Sequence, residues 1–142
     1  MGKINLGRVI LGGLAAGLVV NVFDGVLNGV VLADGWAAFE RTLGHSALMS
    51  PVQIALINVL GFVTGILAVW LYSGIRSRFG AGPATAIHIA FVLWALVNAI
   101  PNGYMIAIGV LPIDLTGIVI GVGLVEYPLA ILAGAALYKE SA

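Results

Sequence analysis

Residues 113–138 read IDLTGIVIGVGLVEYPLAILAGAALY, and this stretch decides the fold. It exceeds the ~20 apolar residues that a helix needs to cross ~30 Å of hydrocarbon. Its acidic residues are Asp114, at the start, and Glu126, near the middle. Barrel strands are segments of about ten alternating residues, whereas this run is unbroken. The stretch therefore predicts a transmembrane helix with a carboxyl group inside the bilayer.

Three further apolar runs precede this one along the chain. The protein has 142 residues, of which 61% are hydrophobic and 8% charged, whereas soluble domains have roughly 25% charged residues. Away from the ends of the runs, the charged or histidine side chains are Asp24, His88 and Glu126. We therefore predict an all-α integral membrane protein, a single four-helix bundle with helices at about 9–32, 51–75, 83–110 and 113–138.

The positions of lysine and arginine predict the orientation in the membrane. Both residue types are retained on the cytoplasmic side, whereas acidic residues contribute little. Arg41 lies on one side of the predicted bundle, and the other five cations share the opposite side: Lys3, Arg8, Arg76, Arg78 and Lys139. We therefore expect both termini in the cytoplasm, an N-in/C-in topology.

The first outer loop, at residues 33–50, carries apolar side chains at helical spacing, namely Trp36, Phe39 and Leu43. Glu40 and Arg41 lie on the opposite side of such a helix. This pattern predicts a short amphipathic helix on the outer membrane surface that ends near Gly44. The alternative is that the loop forms a docking surface for another protein, because loops on a rigid scaffold often carry function.

Glycine is the second strong signal, since the chain has 20 glycines. Small residues let membrane helices approach closely. At 100° per residue, Gly117 and Gly121 lie opposite Glu126 on the fourth helix, whereas Gly123 and Ala130 lie on its side. We expect one face to pack inside the bundle and the Gly117–Gly121 face to contact a second protein chain.

Polar side chains inside the spans are a candidate polar or ion site, because such groups are costly in lipid and usually face a partner or water. Helical rise places them near the midplane or about 5 to 12 Å further out. The predicted set is Asp24, Glu126, Asn21, Asn28, Asn58, Asn98 and Asn102. Pro101 and Pro128 lie beside this level, and each removes one intrahelical hydrogen bond, so we expect kinks there.

The sequence lacks the residues that several kinds of chemistry require. The chain has no cysteine and two histidines, His45 and His88, which lie on opposite sides of the membrane. No metal site, thiol chemistry or haem ligation is therefore expected. There is no GxSxG, no P-loop and no acid pair at a water-exposed site, so we expect no enzyme. No cofactor is predicted, although a lipid, quinone or pigment between glycine-lined helices would leave no motif. Nucleic acid is not an expected partner.

The overall plan resembles small four-helix bacterial inner-membrane proteins. The features that carry this resemblance are the four spans, the amphipathic outer loop and the basic hairpin GIRSRFG at residues 74–80. The resemblance implies a multi-pass protein of the bacterial inner (cytoplasmic) membrane and no particular activity.

Two functional hypotheses remain open. The first is a non-enzymatic accessory or structural subunit, packed against other membrane chains through its glycine face and outer loop. The second is a small oligomeric channel or transporter in which Asp24 and Glu126 bind a proton, a cation or a polar solute. Four helices enclose little pathway, so the second hypothesis requires oligomerisation.

Overall fold

The computed structural model describes residues 4–45 and 49–140, and these residues form helices and loops without a strand. Lys3 and part of the predicted outer loop, residues 46–48, lie outside the described residues. The helices are α1 (Leu6–Val31), α2 (Ala33–Thr42), α3 (Pro51–Phe79), α4 (Pro83–Ala107) and α5 (Ile113–Leu137). All except α2 are long and apolar enough to cross a membrane. The protein is therefore an all-helical, multi-pass membrane protein.

Local capping explains where the helices begin and end. The Asn5 side chain accepts a hydrogen bond from the Arg8 backbone N–H at 3.1 Å, so α1 begins at Leu6, before the apolar run at residue 9. Ser50 and Gln53 form a capping box at the start of α3. This helix continues beyond the predicted end at residue 75, as far as Phe79.

Positive-φ glycines end two helices. Gly80, with φ +89°, follows α3, and Gly109, with φ +76°, lies just beyond α4. Glycine adopts this left-handed conformation without the steric penalty of a side chain. Helix α4 therefore ends at Ala107 rather than at the predicted residue 110.

Two membrane helices contain a π-helical segment. In α1 the α-helix over Leu6–Val26 gives way to a π segment at Leu27–Val31. In α4 a π segment at Trp94–Ala99 separates α-helical Pro83–Leu93 from Ile100–Ala107. The second π segment directly precedes the turn that contains Pro101, where the missing N–H already interrupts the regular hydrogen bonding.

Helix α1 packs between α3 and α5 through glycine. A Cβ placed on Gly17 would lie 2.8 Å from the Phe62 ring on α3, and one placed on Gly65 would overlap the α1 backbone. On the other side, a Cβ on Gly12 would lie 2.5 Å from the Gly134 carbonyl oxygen of α5. These positions allow the backbones to approach to a distance that alanine would prevent.

The packed core lies at one end of the bundle. We call this the hairpin end, because Gly80–Gly82 joins α3 to α4 there, and we call the opposite end the α2 end. Most buried apolar residues lie in the half toward the hairpin end, among them Val9, Ala16, Ala68, Val69, Tyr72, Ala86, Ile89, Ala90, Ala130 and Ile131. At the α2 end, every residue of α3 from 51 to 60 is exposed. The bundle is therefore closed at one end and open at the other.

Candidate functional site

Asp24 and Asn28 lie one turn apart on α1, near the start of its π segment. The Asn28 amide nitrogen donates to an Asp24 carboxylate oxygen over 3.4 Å, a long hydrogen bond. Both side chains are half-buried. This spacing of four residues places the two groups on one face of the helix.

Trp36 connects this pair to α2. Its indole N–H donates to the Asn28 side-chain oxygen at 3.1 Å. Because α2 begins directly after Leu32, its first turn lies close to the end of α1. The three side chains form a continuous hydrogen-bonded chain from α2 into the membrane-spanning part of α1, in the order Trp36, Asn28, Asp24.

Glu126 approaches the same region from α5. Its side chain is 2% exposed, and Gly123 and Ala130, one turn before and after it, are buried as well. The Asp24 and Glu126 carboxyl groups lie close enough to repel each other when both are charged. We call Asp24, Asn28 and Glu126 the carboxyl cluster. Two neighbouring carboxyl groups can bind a proton, a cation or a hydrogen-bond donor.

Asn98 faces α5 from the π segment of α4. It is 7% exposed, and its side-chain oxygen has no hydrogen-bond partner among the described residues. A Cβ on Gly123 would lie 3.1 Å from the Asn98 amide nitrogen and 2.8 Å from the Trp94 ring. The Trp94 indole N–H donates to the Ile120 carbonyl oxygen at 2.9 Å. Gly123 thus leaves the space in which two α4 side chains pack against α5.

The hydrogen bonds of Asn21 and Asn58 go to α3 rather than to the carboxyl cluster. The Asn21 amide donates to the Asn58 carbonyl oxygen at 3.0 Å and so joins α1 to α3. The Asn58 side chain itself donates to the Ile54 carbonyl oxygen of its own helix and is exposed. Asn102 is half-buried, on the turn after Asn98.

The predicted interface residues lie on the surface to different degrees. Gly117 and Gly121 are exposed, and a Cβ on either would meet nothing within 4 Å. Trp36 and Phe39 are half-buried and pack edge to face, with ring centroids 6.3 Å apart. Leu43 is exposed, just beyond the last residue of α2.

A further cluster, at the hairpin end, was not predicted from the sequence. Arg76 pairs with Glu140 at 3.2 Å, and its guanidinium carbon lies 5.1 Å from the Tyr138 ring centroid and 5.8 Å from that of Tyr72. The Tyr72 hydroxyl accepts a hydrogen bond from the Gly82 backbone N–H at 3.1 Å. The spacing of Tyr72 and Arg76, one turn apart, was the available signal, but nothing in the sequence pointed to Tyr138 and Glu140 as their partners.

Within residues 4–45 and 49–140, no group of three or more His, Cys, Asp or Glu side chains could hold a metal ion. Comparison with family models finds no match, and neither does comparison with curated proteins or with solved structures. The function of the chain therefore has to be inferred from its own geometry.

Proposed function

We propose that this protein is a non-enzymatic membrane protein that packs as an accessory or structural subunit into a larger membrane complex. The observation that carries the proposal is the division of α5 into two glycine faces. Gly123 and Gly134 are buried against other helices of the chain, whereas Gly117 and Gly121 are open. Small residues on a membrane helix favour close contact with another helix, and this second face has none among the described residues.

The α2 end of α3 supports the same proposal. Its segment at residues 51–60 is exposed on every side and includes two amide side chains, Gln53 and Asn58. Amide groups in a transmembrane segment favour contact with a partner helix over contact with lipid. The hydrogen bond from Trp36 to Asn28 would then hold α2 against α1 while neighbouring chains cover the open end.

Cross-linking in native membranes tests this proposal. The chain has no cysteine, so Gly121→Cys introduces a single thiol on the open face. The matched control is Gly74→Cys, at an exposed α3 glycine near the hairpin end whose Cβ would also meet nothing within 4 Å. We expect a stoichiometric cross-linked product with a defined second protein from Gly121→Cys only.

Loss of binding gives the complementary test. Gly121→Leu should remove that partner from the complex purified in mild detergent, whereas Gly74→Leu should retain it. A stable homo-oligomer without another protein, or equal recovery of the partner with both variants, would contradict the proposal.

A second candidate function is a small oligomeric channel or transporter, and the presence of two at least half-buried carboxyl groups inside the spans, Asp24 and Glu126, favours it. Buried carboxyl groups in membrane proteins mark ion and proton pathways. In reconstituted vesicles, wild-type protein would then carry a proton or cation flux that Asp24→Asn and Glu126→Gln each abolish. Unchanged flux in folded variants, or its absence from the wild-type oligomer, would exclude this function.

We also propose that the protein lies in the bacterial cytoplasmic membrane with both termini in the cytoplasm. Arg8, Arg76, Arg78 and Lys139 lie toward the hairpin end, and Arg41 lies at the α2 end, a distribution that favours a cytoplasmic hairpin end. In intact cells an impermeant maleimide should label His45→Cys, and it should label Lys139→Cys only after permeabilisation. The reverse pattern would contradict the orientation.

A further inference from the structure

A groove between α3 and α4 opens near the hairpin end, away from the carboxyl cluster and from the open glycine face. Its volume is about 250 Å³, and its walls are formed by Leu71, Ile75 and Phe79 of α3 and by Thr85, His88, Ile89 and Val92 of α4. The α4 lining residues run from Thr85 to Val92, which corresponds to about 10 Å of helix. The groove is thus elongated and apolar, and it is long enough for part of an acyl chain.

His88 is the ionisable side chain among these lining residues. Its Nδ1 atom lies 2.7 Å from the Ala84 carbonyl oxygen, which can only accept, so Nδ1 carries the proton in this contact. The other ring nitrogen, Nε2, is left for a ligand. His88 lies about 7.5 Å along α4 from Pro83, the first residue of this helix, and therefore near the hairpin end.

Arg78 lies on α3 between two lining residues of the groove, Ile75 and Phe79. It is exposed, and it follows Leu71 by seven residues and Ile75 by three, which places it on the same face of α3 as these two lining residues. Arg76 is different, because it is paired with Glu140. Arg78 forms no ion pair with any of the described residues.

The charge of this end of the bundle complements an anion. Four cations lie toward the hairpin end, namely Arg8, Arg76, Arg78 and Lys139, and the described acidic residue there is Glu140, already paired with Arg76. Basic pockets between transmembrane helices bind anionic lipid headgroups. An apolar groove with an exposed cation on the same helix face matches the two parts of such a lipid.

We propose that this groove binds one anionic phospholipid. The acyl chain lies along Leu71, Ile75 and Val92, beside the His88 ring, and Arg78 binds the headgroup phosphate. This site is independent of the proposed subunit role, because it lies on a different face and at the opposite end of the bundle from Gly117 and Gly121.

Native mass spectrometry tests the proposal on protein purified in neutral detergent and mixed with phosphatidylglycerol or phosphatidylcholine. We expect the wild-type chain to retain one phosphatidylglycerol in preference to phosphatidylcholine. Arg78→Gln should weaken that retention about fivefold, the contribution expected of a single cation near an anionic lipid surface. Lys139→Gln, which removes an exposed cation from the same end but not from α3 or α4, should weaken retention by less than about twofold.

A second pair of variants tests the groove itself. Val92→Trp should fill it and prevent retention, whereas Val97→Trp, at an exposed α4 position outside the lining, should not. Both substitutions are on the lipid-facing surface, and an unchanged melting temperature would verify folding. Equal retention of the two lipids by the wild-type chain would overturn the proposal. Equal losses of phosphatidylglycerol retention in Arg78→Gln and Lys139→Gln would also overturn it, as would unchanged retention in a folded Val92→Trp variant.

Discussion

The guanidinium group of Arg76 pairs with the carboxylate of Glu140 at 3.2 Å, although 64 residues separate them in the chain. The side chains of Arg76 and Glu140 are 17% and 35% exposed, so the pair is partly shielded from solvent. Tyr138 contributes a ring face to the same guanidinium, and its hydroxyl accepts a long hydrogen bond, 3.4 Å, from the Asn5 backbone N–H. The first and last spans and the α3–α4 hairpin are thereby tied together at one end.

We expect Arg76→Gln to lower the free energy of unfolding by about 1–2 kcal/mol in a neutral detergent. This figure combines a partly exposed ion pair with a cation–π contact, each worth about 0.5–1 kcal/mol. Arg76→Lys should lose less, because it keeps the charge. Equilibrium unfolding of Arg76→Gln, Glu140→Gln and the double variant would give the coupling energy. A coupling of zero would mean that the pair contributes nothing.

Gly65→Ala should lower the free energy of unfolding by about 1–3 kcal/mol, the usual cost of overpacking. The added methyl group would overlap backbone atoms of Gly13 and Gly17, and neither can move aside as a side chain can. Gly74→Ala, on the same helix with open space around its Cβ position, is the matched control and should lose no stability. Similar unfolding curves for the two variants would contradict the close crossing of α1 and α3.

Trp36→Phe should release α2 from the carboxyl cluster. The substitution keeps an aromatic ring but removes the N–H that donates to Asn28, a bond worth about 0.5–1.5 kcal/mol. Hydrogen exchange of the α2 amides should therefore accelerate by about 2- to 12-fold. Trp70→Phe, at an exposed position on α3, serves as the control. Unchanged exchange in Trp36→Phe would show that the hydrogen bond does not hold α2.

Thr116→Val should raise the free energy of unfolding by about 1 kcal/mol. Thr116 is 1% exposed, and its hydroxyl oxygen has no partner among the described residues. Valine has nearly the same shape and removes an unpaired buried polar group, whose desolvation costs about 1–3 kcal/mol. Thr64→Val, at a half-buried position, should change stability less. A loss of stability in Thr116→Val would show instead that the hydroxyl has a partner, such as a bound water.

Apolar run length predicted the four spans, because nothing except a transmembrane helix suits more than 20 consecutive apolar residues. Helical periodicity placed Gly117 and Gly121 on the opposite face of α5 from Glu126. In the structure the two glycines are exposed and Glu126 is buried. Helical rise also predicted that Asp24 and Glu126 lie at similar depth, and both side chains are at least half-buried in the structure.

Other features depend on tertiary contacts that no local pattern contains. The π segments at Leu27–Val31 and Trp94–Ala99 shift hydrogen bonds by one residue within otherwise regular apolar runs. The Arg76 cluster joins side chains from α3 to residues beyond α5. The exposure of Asn58 could not be predicted either, because its helix face depends on how α3 diverges from its neighbours.

Because the core is concentrated toward the hairpin end, the first ten residues of α3 extend beyond the packed part of this helix. Gly61 is its first buried residue, and the ten residues before it form an arm of about 15 Å. A tilt of about 8° at Gly61 displaces the tip of that arm, at Pro51, by about 2 Å, roughly the radius of a helix backbone. A small tilt at Gly61 is therefore amplified toward the α2 end of this helix, where residues 51–60 have no buried neighbour on α3 to hold them in place.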